Sequence, residues 1–353
     1  MDFSSEPGPK MGCVVRGRAP ASSVSYHESG SHLFVASEKD SVLRVVDCLR
    51  DGKAGAASTW PAMIRLQDQG IRTVRSTHHS HCVLFSAGSN DGVPRKNHVY
   101  YHSVHDNKIL REFGGHSGVI NGISMSPVND NFLSSSIDGT VRLWDCGTPG
   151  NSLAEMRLPP DVVEGAPLAA FDSTGLVFGI SAAMSGGEGY HIHLYDARNH
   201  TVGPFAEMKT TCQDIEAKIR VGGSTPERAY ALSKLEWTLM EFNKSGKQIL
   251  IGAMGGVALS LDGYEGSVLH SFQSETGRTG ASSQSFPMAA CFTPDDRSVI
   301  CRNNDGTVSC YQADSGLLVR TIRGHPDRVG AVAANPKYSQ FASACTNIAV
   351  WIC

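Results

Sequence analysis

The sequence lacks nearly every motif that announces catalysis. It has no Gly-x-x-x-x-Gly-Lys phosphate loop, no Gly-x-Gly-x-x-Gly after a strand, no Gly-x-Ser-x-Gly elbow and no His-Glu-x-x-His. Those gaps remove the best-marked routes to nucleotide binding, acyl transfer and zinc-dependent hydrolysis, and no cofactor or metal is expected. None of the ten cysteines stands in a Cys-x-x-Cys pair. Cys82, Cys291, Cys301, Cys310 and Cys345 fall in strand-like runs, and the reading is free, mostly buried thiols in a reducing, intracellular compartment. An excess of charge is missing too. With 31 basic against 34 acidic residues the net charge is −3, so no global field gathers nucleic acid or an anionic membrane, and neither is expected as a direct partner. No window reaches the apolar length of a membrane span, and Met1–Lys10 lacks the apolar core of a signal peptide.

What is present is glycine, 37 residues of it, and a hydrophobic fraction of 41%. That suits many tight turns around a sizeable core. The clearest segment opens with Gly115-His116 and ends with Ser134-Ser135-Ser136-Ile137-Asp138-Gly139-Thr140-Val141-Arg142-Leu143-Trp144-Asp145. A Gly-His pair, an Asp-Gly turn between half-apolar runs and a Trp-Asp pair mark one propeller blade of a WD-repeat array. Gly139 supplies the positive φ of a tight hairpin. His116, Ser134, Asp138 and Trp144 are the four polar groups able to link within the blade.

Degraded copies run along the chain. Asp40 and Asp305 precede bulky Val46 and Tyr311 by the same six residues that separate Asp138 from Trp144. The bulky slots line up as Val46, His102, Trp144, Tyr195, Leu261, Tyr311 and Trp351, at spacings from 40 (Tyr311 to Trp351) to 66 residues (Tyr195 to Leu261). The expected fold class is all-β, a seven-bladed WD40 β-propeller. The chain stops on the Trp351 strand with nothing left for a fourth, while Gly12–Arg16 is a spare strand. An N-terminal strand closing the last blade removes an otherwise exposed edge. The domain reading is a flexible N-terminus over 1–11 and a single propeller over 12–353, with an insertion at about 208–235. That insertion is expected to hold short helices over Asp214–Arg220 and Glu227–Leu235. Leu49–Trp60 reads as a flexible Gly/Ala-rich connector.

Several constellations invite a chemical reading. His116, Ser134 and Asp138 have the residue types of a hydrolytic triad, but they recur in register with a fold signature and lack an oxyanion hole, so they read as a structural brace. The brace set is His116, Ser134, Asp138 and Trp144 in the third unit, His325, Ser343 and Trp351 in the last, and the turn acids Asp40 and Asp305. In the last unit the turn is two residues shorter, and Asn347 is the nearest thing to a turn acid. His78, His79 and His81 read as a solvated turn. His191 and His193 share a strand face beside a loop-expanded hairpin at Met184–Tyr190. Lys39, Ile137 and Asn304, one residue before each turn acid, are the positions expected to face partners.

Beyond the general repeat, Val104–Lys108, Phe113, Gly115-His116-Ser117, Ser124–Asp130 and Ile137–Asp145 resemble the WD repeat-containing protein 82 family, which includes the yeast COMPASS WD-repeat subunit. The likeness continues through Leu194–Arg198, Gly203–Ala206, Glu236–Thr238, Phe292–Asp295, Asn335–Tyr338 and Phe341–Trp351. The resemblance implies a nuclear, non-catalytic adaptor. Its implied partners are protein subunits of a COMPASS-type histone H3 lysine methyltransferase complex, or of a complex of protein phosphatase 1 with its nuclear targeting subunit, which acts in transcription termination. An association with the phosphorylated RNA polymerase II tail is also implied, for which Arg72, Arg75, Arg95 and Lys96 are candidates. The insertion, the hairpin at Asn90–Lys96 and the N-terminal extension depart from the family pattern. The rival reading is a propeller enzyme with an unrecognised active site at the central channel.

Overall fold

The computed structural model describes residues 1, 3–4, 8–49, 63–65, 70–88, 97–158, 163–221, 224–273 and 286–353. The expected connector at Leu49–Trp60 and the hairpin at Asn90–Lys96, with Arg95 and Lys96, lie almost wholly outside these residues. Among those described, the strands form seven four-stranded antiparallel sheets. In six of them four consecutive strands pair in order, which is the meander of a propeller blade. The seven sheets are the seven blades expected from the sequence.

The register explains why the slots line up. Each of the seven bulky residues lies on the third strand of its sheet, opposite an apolar residue of the second. The pairs are Val46 with Leu33, His102 with Val83, Trp144 with Phe132, Tyr195 with Phe178, Leu261 with Ile249, Tyr311 with Val299 and Trp351 with Phe341. Where both partners are aromatic they stack: Phe132 on Trp144, Phe178 on Tyr195 and Phe341 on Trp351, the last two at 5.1 and 5.8 Å between centroids. Such pairs add about 0.5–1.5 kcal/mol beyond the area they bury.

The contacts divide the chain into two compact units. The first comprises Met1–Gly115, Cys291–Gln312 and Leu317–Cys353, and the second His116–Ala290 with Ala313–Gly316. In the first unit the strand Lys10–Arg16 pairs with Asn347–Ile352, from Lys10 opposite Ile352 to Arg16 opposite Asn347. The N-terminal strand therefore completes the last sheet. The expected flexible stretch over 1–11 needs correction. The strand begins at Lys10, Phe3 is buried against Phe341, its carbonyl accepts from Arg320 Nε at 2.9 Å, and the terminal ammonium pairs with Asp295. The contacts of Phe3 and the pairing of Lys10 and Met11 fix those residues; 2 and 5–7 lie outside the described residues.

In the second unit the insertion folds as α1 (Cys212–Val221) and α2 (Pro226–Ser233). Strand Ala206–Thr211 takes the first part of the expected 208–235 segment, so the insertion proper starts at Cys212. Thr211 Oγ1 accepts from Asp214 N at 3.1 Å and donates to the Asp214 carboxylate, which caps α1. Pro226 opens α2, where its missing N–H costs nothing. Ile215, Ile219 and Ala229 bury into the core shared by the fourth and fifth sheets. Helix α1 lies on the outer strand of the fifth sheet, Val268–Gln273, and Ser271 and Gln273 donate to its Lys218 and Ile219 carbonyls. Side chains of the edge strand thus satisfy two carbonyls near the end of the helix.

Candidate functional site

The polar network of the third sheet is the most complete among the described residues. Trp144 Nε1 donates to Ser134 Oγ at 2.8 Å, and Ser134 Oγ lies 2.7 Å from His116 Nε2. His116 Nδ1 is 3.0 Å from Asp138 Oδ2. Asp138 also accepts from the Ser117 and Thr140 backbone N–H groups, both at 2.9 Å, and from the Thr140 hydroxyl at 2.6 Å. An ionised carboxylate only accepts, so Nδ1 carries the imidazole proton. In the neutral ring Nε2 then accepts, and Ser134 donates to it. Burial pushes the His116 pKa down and keeps the ring neutral. Burial alone would raise Asp138, but the bonds from Thr140 and His116 outweigh it and hold the carboxyl at about 2. Thr140 is a member of this network that the sequence reading did not include; its place after Asp-Gly was the available signal.

These are the residue types of a hydrolytic triad arranged for a different task. Ser134 is wholly buried and its oxygen already accepts from an indole. The network ties two strands, the turn between them and the segment that precedes the sheet together through side chains.

In the last sheet, Trp351 Nε1 donates to Ser343 Oγ at 2.8 Å, and Ser343 Oγ meets His325 Nε2 at 2.6 Å. Here Asn347 does not act as the turn acid. Cys345 Sγ lies 3.1 Å from His325 Nδ1 and accepts from the Asn347 backbone N–H at 3.2 Å. The shorter turn brings a sulfur to the place that a carboxylate fills in the third sheet. Asp40 and Asp305 hold their turns without reaching a histidine. Asp40 accepts from Val42 N and pairs with the buried Arg44, while Asp305 accepts from the Thr307 amide and hydroxyl. Asn303 substitutes in the sixth sheet, donating to Thr307 Oγ1 and Ser309 Oγ, both at 2.8 Å.

Lys39, Ile137 and Asn304 are exposed, each in the turn between the second and third strands of its sheet. His78 sits in the expected turn with Nδ1 2.8 Å from Glu28. His191 and His193 are buried within strand Gly189–Asp196. The hairpin expected to be loop-expanded at Met184–Tyr190 is instead two long strands whose ladder continues to Ala183 opposite Tyr190. Among the described residues no group of three or more His, Cys, Asp or Glu is placed to hold a metal. Arg72 and Arg75 lie on strand Ile71–Ser76, where Arg75 donates to the Val74 carbonyl.

The family described as "WD domain, G-beta repeat" matches residues 107–145, the stretch that holds the complete network. WD repeat-containing protein 82 of Drosophila melanogaster is 33% identical over 93% of this chain and 89% of its own length. The chain belongs to the WD repeat-containing protein 82 family. "COMPASS component SWD2" of Saccharomyces cerevisiae is 26% identical over 92% of this chain and 88% of its own. "Set1 complex component swd2" of Schizosaccharomyces pombe is 28% identical over 82% and 70%.

Proposed function

We propose that this chain is a non-catalytic scaffold subunit of a nuclear complex acting on chromatin and transcription. The observation that carries the reading is the reach of the likeness to relatives whose names place them in COMPASS and the Set1 complex. Each aligns with most of this chain, so the likeness covers more than one shared repeat. The internal chemistry supports the non-catalytic part, since the serine, histidine and acid that resemble a triad are spent on holding strands. Sheets with short turns suit a scaffold, because rigid elements present varied loops to partners. The proposed partners are subunits of a Set1-type histone methyltransferase complex. A phosphatase 1 termination complex and the phosphorylated polymerase tail remain implied by the resemblance. Lys39, Ile137 and Asn304 are the proposed contacts.

Affinity purification of the tagged chain from nuclei, read by mass spectrometry, tests this. A methyltransferase core is expected, and a phosphatase core would move the assignment to the termination complex. Recovery of neither would sink the scaffold reading. Lys39→Glu combined with Asn304→Trp should lower the recovery of partners; unchanged recovery would remove those positions from the interface.

A further inference from the structure

Four of the sixteen prolines follow a serine or threonine, in Ser126-Pro127, Thr148-Pro149, Thr225-Pro226 and Thr293-Pro294. The structure separates these pairs. Ser126 and Thr293 are each 1% exposed, and Thr293 Oγ1 is held between Asp295 and Ser298. Thr148 is exposed, but its hydroxyl donates to the Asp145 carboxylate at 2.7 Å. Thr225 is exposed together with Pro226 and Glu227. Its pair alone has a basic residue three places after the hydroxyl, Arg228, where the others have Asn129, Asn151 and Asp296.

That pattern suits a phosphoryl acceptor. A protein kinase holds its substrate extended, so the amides beside the acceptor must find partners in the enzyme's groove. A proline after the acceptor has no amide hydrogen to leave unpaired, and a groove without a partner there selects it. A guanidinium two residues further on adds a charge-assisted pair with an acidic patch of the enzyme. Thr225-Pro226-Glu227-Arg228 carries both marks. The local structure lets the segment open. The Ser224 hydroxyl is anchored to Gln273 on the outer strand of the fifth sheet, which presents the next residue at the surface. Helix α2 begins there, with Ala229 N donating to the Thr225 carbonyl at 2.9 Å. At eight residues it is too short to be stable by itself, so its first turn opens at small cost.

We propose that Thr225 is a phosphorylation site for a proline-directed protein kinase of the cyclin-dependent class. The Thr225 hydroxyl oxygen attacks the γ-phosphorus of ATP, and its proton passes to the kinase's catalytic carboxylate. The bond from that phosphorus to the bridging oxygen breaks, and ADP leaves. The product adds a charge of about −1.5 to −2 at neutral pH to the surface of the insertion. It stands beside the backbone N–H groups of Glu227 and Arg228, which have no carbonyl to reach within α2, and it steadies the turn that opened for the kinase. The site does not depend on the scaffold reading.

The full chain, incubated with ATP and a purified cyclin-dependent kinase, should take up one phosphate, mapped to Thr225 by mass spectrometry of its peptides. Thr225→Val should abolish that uptake, and Pro226→Ala and Arg228→Ala should each slow it about tenfold. Thermal unfolding confirms that each variant folds. The tagged chain recovered from dividing cells should carry the same mark and lose it after treatment with a cyclin-dependent kinase inhibitor. In the phosphorylated chain, amide exchange at Glu227 and Arg228 should slow about 3- to 10-fold. No uptake, uptake elsewhere with Thr225 bare, or uptake indifferent to both Pro226→Ala and Arg228→Ala overturns the assignment. A mark made in the tube but absent from the cellular chain overturns it as well. Faster exchange at the two amides overturns the steadying of α2. Recovery of no complex in the affinity purification sinks the scaffold reading and leaves this site standing.

Discussion

Ser134 and Ser343 each hold an indole N–H and an imidazole nitrogen at once, and that double use sets what their loss should cost. Ser343→Ala leaves Trp351 Nε1 and His325 Nε2 buried without partners, so a loss of about 1–3 kcal/mol is expected in urea unfolding. Cys345→Ser keeps an acceptor for the Asn347 N–H and should retain more stability than Cys345→Ala. Equal midpoints for those two variants would show that the sulfur is a packing atom only. The third-sheet network was legible because its four residues stand at the spacing of a known repeat. Cys345 was not. The partner of His325 falls two residues after Ser343, whereas Asp138 falls four after Ser134, and a thiol is not the group that a search for a turn acid finds.

At the scale of elements, the sequence located the seven third strands through their bulky slots and both helices of the insertion through the Gly-Gly-Ser-Thr-Pro break between them. It misjudged the ends. The Met184–Tyr190 hairpin read as a loop because Gly186 and Gly187 sit in a polar run, yet both flanking strands are buried and keep their ladder almost to the turn. Helix α1 is more than decoration on this scale. Ile219 is fully buried in the core it shares with the fourth and fifth sheets. Ile219→Ala should therefore cost about 2–5 kcal/mol, as buried large-to-small changes do. A thermal midpoint within a degree of the parent would mean that the insertion rides on the sheets without supporting them.

For the whole molecule, acid should be the sensitive side. His27, His102, His116, His191, His193 and His325 all have lowered pKa values, with burial the largest cause in each. A histidine lowered on folding leaves the unfolded chain holding more protons below its ordinary value of about 6.5. Its stabilising contribution is thus complete above about pH 6.5 and lost as pH falls toward the folded value. Asp138, held at about 2 against an ordinary carboxyl near 3.9, adds a second loss of the same sign below about pH 4. Urea midpoints should be level from pH 8 to 7 and decline steadily from about 6.5 to 5. A midpoint that does not move between pH 7.5 and 5.5 would contradict this reading of the buried rings.

The pairing of Lys10–Arg16 with Asn347–Ile352 has a consequence in time. The strand Lys10–Arg16 leaves the ribosome long before its mate, Asn347–Ile352, is made. At ~10 residues per second it waits for roughly half a minute with its hydrogen-bonding edge bare. During that interval the nascent chain is open to strand pairing with neighbours, and only the arrival of Asn347–Ile352 ends the exposure.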